Sequence, residues 1–221
     1  MSALTRGRPT APTLALDEQA HATLLQAASV CLRYPDRDVL DLLPLIRTSV
    51  RAVPESPARA HLLVFLDALA PRTPDELAEL YVAVFDRRRR CCLDLTWWTD
   101  GETRRRGASL AALKERYRAA GVEFSGTELP DHLPAVLEYA ALGHLADGLA
   151  LLQEHRAGLE LLRLALHDAD APWAAVLQAV CALLPGPSPT DVAAAKALAR
   201  SGPPHEQVGL DLAPFGVGDR R

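Results

Sequence analysis

Residues 73–86, TPDELAELYVAVFD, decide how this chain is read. Thr73, Pro74 and Glu76 form a capping box. The Thr hydroxyl accepts from a free backbone N–H, the Glu carboxylate reaches back, and Pro74 has no N–H to leave unsatisfied. Behind the box, Leu77, Leu80, Tyr81, Val84 and Phe85 fall at i, i+3, i+4, i+7 and i+8. That spacing puts them on one apolar face of a helix.

The same period recurs in both directions. Upstream, Asp17 can cap a helix running to Tyr34, with Leu24, Ala28, Cys31 and Leu32 on its stripe and Pro35 past its end. Val39, Leu42, Leu43, Ile46 and Val50 predict a second helix, with Pro44 expected to kink it or mark its start. Residues 54–57 break the chain, and the LLVFL run lies on a third helix. Downstream, Leu110, Leu113 and Tyr117 continue the pattern, and Gly121 is placed to stop it. SGTELPDHLP reads as a turn that leads into Val136, Leu137, Ala140 and Ala141. Asp131 is read as the cap of that helix, ahead of Pro134. Leu149, Leu152, Leu159, Leu162 and Leu166 mark one further helix; Trp173, Val176, Leu177, Val180 and Leu184 another. After the breaker PGPSP, Ser188, Pro189 and Asp191 open an Ala-rich helix ending near Gly202. No strand pattern or internal repeat interrupts this. The expectation is an all-α fold, one irregular helical bundle of about eight helices over residues 17–202. Flexible tails are expected at residues 1–16 and 203–221.

Composition narrows the function. The chain has 221 residues, 49% hydrophobic and 24% charged, enough for a sizeable core. It has no apolar run long enough to span a bilayer, and prolines interrupt MSALTRGRPTAPTLAL where a signal peptide needs continuity. Direct membrane insertion is therefore not expected. Four cysteines, two of them the adjacent Cys91 and Cys92, are no disulfide framework and read as reduced and cytoplasmic. Glu18 and His21 share a helical face as di-iron bundles require, but no second Glu-x-x-His exists, so no metal is expected. No nucleophile elbow, phosphate loop or zincin helix occurs. Ser125, Asp131 and His132 make a triad only on paper, so no catalysis is expected.

Charge is segregated. Residues 81–121 sum to +5 and the rest of the chain to −9. Within YVAVFDRRRRCCLDLTWWTDGETRRRG, residues 81–107, arginine runs at 87–90 and 104–106 flank an aromatic centre. Either this is a solvated face, or Arg87, Arg89, Arg104 and Arg106 contact phosphates beside Trp97 and Trp98. A net charge of −4 and the lack of a binding motif argue against nucleic acid.

Three blocks then carry a resemblance. They are Tyr81-Val82-x-x-Phe85-Asp86-Arg87-x-Arg89 with Leu93-x-Leu95; Gly101-Glu102-Thr103-Arg104-x-Arg106-Gly107; and Glu128-Leu129-Pro130-Asp131-His132-Leu133-Pro134-x-x-Leu137-Glu138-Tyr139. A weaker echo is Glu206-Gln207-Val208 with Phe215-Gly216. The chain resembles the respiratory nitrate reductase assembly chaperones, the NarJ or delta-subunit family.

The resemblance implies an all-helical cytoplasmic chaperone without catalysis. Members bind the N-terminal segment of the nitrate reductase alpha subunit, a basic and partly apolar remnant of a twin-arginine signal. They support insertion of the molybdenum bis(molybdopterin guanine dinucleotide) cofactor without holding it stably, and they delay membrane docking. The alpha–beta complex is a further implied partner. Such a peptide needs apolar anchors and an acidic rim. Tyr81, Phe85, Trp97 and Trp98 are candidate anchors, and Asp86, Asp131 and Glu138 candidate acids, with His132 and Leu133 in the same motif. Asp131 and Glu138, seven apart, are expected to make one acidic edge. The alternative is a carrier whose arginines hold the cofactor's pyrophosphate directly.

Overall fold

The computed structural model describes residues 16–124 and 128–201, with no side chain described at 199–201. Ser125, the C-terminal echo and all of the two expected tails except Leu16 lie outside these residues. Leu16 itself packs against the core.

Side chains that accept at i+3 start many of the helices. Asp17 accepts from Ala20 N at 2.7 Å ahead of α1, Glu18–Cys31. Asp36 does the same for α2, Arg37–Ala52, and Ser56 for α3, Pro57–Leu69. Both halves of the Thr73–Glu76 capping box form at the start of α4, Pro74–Tyr81. A π turn, Val82–Asp86, and a short 3-10 turn, Arg89–Cys91, follow. The remaining helices are α5, Leu95–Asp100; α6, Arg104–Ala119; α7, Leu133–Ala141; α8, Leu145–Glu154; α9, Arg156–Asp168; α10, Trp173–Ala182; and α11, Val192–Ser201. Gly121 has φ 79° just past α6, a left-handed stop that glycine adopts without strain. Asp191 caps α11 through Ala194 N.

The class is all α, as expected, but eleven α-helices occur among the described residues rather than about eight. Two reasons account for most of the difference. The leucine stripe through 149–166 runs through a break at His155, so one expected helix is two. The arginine-rich stretch also contains α5, too short to show a period. Pro44 neither starts nor ends α2; it lies inside it, and its carbonyl accepts from the Thr48 hydroxyl.

Helix α10 is the hub. It packs on α3, α9 and α1, while α1 also packs on α7, and α7 on α8. Trp173 Nε1 donates to Cys31 O at 3.0 Å, and Tyr81 Oη donates to Leu32 O at 3.0 Å. The C-terminal carbonyls of α1, which no helical N–H reaches, are thus satisfied from distant elements. Burial pushes the Cys31 thiol up to about 12. That thiol behaves as a small apolar side chain.

Helices α7 and α8 meet where only glycine fits. A Cβ built on Gly148 would lie 2.3 Å from Ala140 Cβ and 2.6 Å from its Cα. Gly148→Ala is expected to force the two helices apart and destabilise the fold by about 1–3 kcal/mol. Gly107, helical and with open space around its Cβ position, is the control. There Ala should stabilise by about 0.4–1 kcal/mol. Urea unfolding of the two variants measures both signs.

Candidate functional site

The π turn redirects the chain as it leaves α4. Arg87 N bonds to Val82 O across five residues, so the helix widens. Tyr81 and Phe85 are thereby turned onto Trp173, with ring centroids 5.5 and 5.2 Å from it. Tyr81 is 8% exposed, and burial, with the nearby carboxylates of Asp86 and Glu128, holds its phenol well above the usual range. Tyr81 thus belongs to the core, and Phe85 is half-buried and packs against it. Asp86 stays exposed.

Beyond the 3-10 turn the chain pairs with the distant ELPDHLP turn. Leu95 N donates to Asp131 O and Leu133 N to Leu93 O, each at 2.9 Å, around an antiparallel bridge between Asp94 and His132. Charged groups fill the space behind this bridge. Arg106 donates to Asp94 Oδ2 at 2.7 Å, and His132 Nδ1 lies 3.1 Å from Asp94 Oδ1. Asp131 accepts from Thr96 N at 3.0 Å and from the Thr96 hydroxyl, with the Arg106 guanidinium 3.7 Å away. Burial opposes the charge on Asp94, yet the hydrogen bonds from His132 and Arg106, with their positive field, hold its carboxyl below the usual range.

This arrangement corrects the sequence reading of Asp131. Helix α7 begins at Leu133 with His132 as its flanking residue, and no side chain caps it. Asp131 instead caps α5 from outside, taking the N–H of that helix's second residue. It is 0% exposed and presents no charge to a peptide, so it forms no acidic edge with Glu138, which stands exposed on α7. Leu133 is equally buried, and the His132 ring is spent on Asp94. Trp98 donates its indole N–H to Cys92 O at 3.1 Å and abuts Gly158 of α9. Trp97 is half-buried, with the Arg89 guanidinium 5.7 Å from its ring. The four candidate phosphate arginines do not converge. Arg106 is bound to Asp94, Arg89 pairs with Glu102, Arg104 stands exposed at the start of α6, and Arg87 leaves the π turn on another surface.

That other surface is the back of α4. A groove of about 660 Å³ runs along it, with Tyr34, Leu80, Val82 and Ala83 as apolar lining, Glu76 and Glu79 on its wall, and Arg87 as the one cation in the lining. Tyr34 is 46% exposed and meets Tyr81 edge-on, ring centroids 5.4 Å apart. From Pro74 to Asp86 the chain carries Asp75, Glu76, Glu79 and Asp86 and no basic residue. The sequence alone did not mark Tyr34, Glu76 and Glu79 as candidate site residues. Its apolar period pointed to the stripe of α4, which turned inward, and Glu76 reads there only as a cap. Asp75, Glu76 and Glu79 on α4, with no basic residue among them, were the available signal.

Among the described residues, no group of three or more His, Cys, Asp and Glu side chains is placed to hold a metal ion. No helix there is long and apolar enough to cross a membrane.

Residues 54–179 match the family model described as nitrate reductase delta subunit. The chain is 30% identical over 158 residues to the probable nitrate reductase molybdenum cofactor assembly chaperone NarJ of Bacillus subtilis, covering 72% of this chain and 86% of that one. It is 31% identical over 152 residues to the nitrate reductase molybdenum cofactor assembly chaperone NarJ of Escherichia coli, covering 68% and 64% of the two. The nitrate reductase-like protein NarX of Mycobacterium tuberculosis is 36% identical over 156 residues, 71% of this chain; the chain spans only 23% of NarX. The strap from Tyr81 to Gly107 and the turn bridged to it both fall inside the matched region, and the chain belongs to the nitrate reductase delta subunit family.

Proposed function

We propose that this chain is an assembly chaperone dedicated to a nitrate reductase, acting in the cytoplasm and catalysing no reaction. It binds the N-terminal segment of the alpha subunit and keeps that subunit open for insertion of molybdenum bis(molybdopterin guanine dinucleotide). It delays membrane docking until the cofactor is in place. Relatives named as molybdenum cofactor assembly chaperones support this reading. The observation that carries it to a site is the acid-flanked groove on the back of α4.

A basic, partly apolar peptide finds there what it needs. Tyr34, Leu80 and Val82 offer surface for an apolar anchor, Glu79 and Glu76 on the wall meet its positive charges, and the exposed Asp86 just beyond the lining offsets its neighbour Arg87, the one cation there. Exposed carboxylates are cheap to use, because they leave little hydration behind, and they speed encounter. A contact of this modest size gives affinity of about micromolar order, weak enough to release the client.

Calorimetric titration with a synthetic peptide of the alpha-subunit N-terminus tests this. Saturable binding is expected, and Glu79→Gln with Asp86→Asn should weaken it about fivefold to tenfold at low salt, with the gap closing as salt rises. Both positions are exposed, so the melting temperature should not move. Failure of the unaltered chain to bind the peptide overturns the client reading. Undiminished binding by the double variant keeps the client but removes it from this groove.

A further inference from the structure

We infer that the cavity between α9, α11 and residues 88–91 is a binding site for a phosphate-bearing ligand with an apolar ring, of the class of a purine nucleoside diphosphate. The cavity measures about 580 Å³ and shares no lining residue with the α4 groove. That volume lies within the range of small-molecule sites, about 300–1,000 Å³.

The floor and the rim differ in chemistry. Leu161 and Ala165 of α9, both half-buried, make the floor with Trp98 beside them, and the more exposed Val192 of α11 adds an apolar edge. The Trp98 indole N–H is already given to Cys92 O, so the ring body is what remains to meet a ligand. Around the rim stand Arg88, Arg90 and Lys196, all exposed, and none has an acidic partner within 4 Å among the described residues. Arg89 also lines the cavity but is paired with Glu102, and Asp168 is the one acid in the lining. Three unpaired cations held around one concavity repel one another until an anion arrives. Two are guanidiniums, whose planar forks suit phosphate oxygens. A basic peptide is repelled here, and a bare inorganic anion leaves the apolar floor unused. A ligand with a phosphate end and a flat apolar body uses both.

The inference does not rest on the client reading and is tested without any client. The full chain is titrated calorimetrically with adenosine and guanosine diphosphates, with inorganic pyrophosphate and guanosine as the two half-ligands. One-to-one saturation by a nucleoside diphosphate is expected, with pyrophosphate at least about tenfold weaker and guanosine silent. The triple variant Arg88→Gln, Arg90→Gln, Lys196→Gln should weaken the nucleotide by at least about tenfold at an unchanged melting temperature. Ala165→Leu, which fills the floor, should bring the nucleotide down to the affinity of pyrophosphate. A free nucleotide and the pyrophosphate bridge of a dinucleotide offer the same chemistry. Tighter binding of diguanosine diphosphate than of guanosine diphosphate identifies the bridge, and weaker binding identifies the free nucleotide. Absence of saturation overturns the proposal, as does an unaffected triple variant. An equal loss in the control Arg104→Gln, Arg105→Gln, away from the cavity, also overturns it by reducing the effect to overall charge.

Discussion

Arg106→Met is expected to destabilise the fold by about 3–5 kcal/mol, because it strands two carboxylates that have left water. Asp131 is wholly buried and Asp94 mostly so, and Arg106 is the cation beside both. With it gone, Asp131 keeps only its bonds from Thr96, and Asp94 only its contact with His132. The bridge joining the strap to the 128–134 turn should loosen, although the residues that form it are untouched. Urea denaturation measures the loss. Asp94→Asn in the Arg106→Met background should recover part of it, since one of the stranded charges is then removed. The pH dependence gives an independent reading. Asp94 has a depressed value in the folded chain, so its contribution is complete above the ordinary carboxylate range and is lost as pH falls through the depressed value. Arg106→Met removes a main cause of that depression. The gap between variant and parent should therefore be widest near neutrality and shrink in acid. A gap that grows on acidification would contradict this account.

Glu160→Leu should have a similar cost, about 3–5 kcal/mol, for the opposite charge imbalance. Glu160 is fully buried on α9 and accepts from Arg156 Nε at 3.0 Å and from Arg163 Nε at 2.6 Å. Those two arginines reach on to the 185–189 loop. Arg156 donates to Pro185 O and Gly186 O, and Arg163 to Pro189 O. The carboxylate thus sets the arginines, the arginines set the loop, and the loop delivers α11 onto α9. Without Glu160 two buried guanidiniums repel, and α11 loses the anchor at its entry. Trypsin should cut after Lys196 sooner in the variant than its global stability alone predicts. Nucleotide binding proposed for the α9–α11 cavity should weaken with it, while binding of the alpha-subunit peptide at the groove proposed on α4 should be unchanged for the folded fraction. Replacing Arg156, Glu160 and Arg163 together with apolar residues of similar volume should restore much of the stability. A single Glu160→Leu variant as stable and as protease-resistant as the parent would refute the chain of support.

The all-α class, the starts of α1 and α4, the core stripes and the family motifs were legible in the sequence by itself. Each rests on local physics or on the residues themselves. A cap bonds three residues along its own chain, so Asp17 and Thr73 act whatever lies elsewhere. A helical period of apolar residues must be buried against something, whichever neighbour that is. Only the tertiary structure decided which charges are free. Asp131 has the sequence setting of a local cap, yet the Asp94–His132 bridge carries it to a helix that starts thirty-six residues before it, at Leu95. Arg104 and Arg106 are two apart and look alike in the sequence, yet one is solvated and the other bound to buried carboxylates. Tyr81 and Phe85 looked equally suited to core or groove until the π turn set them against Trp173, from a helix about ninety residues on. An ionic or aromatic side chain takes its role from partners a few ångströms away in space, and the chain between those partners leaves no periodic trace.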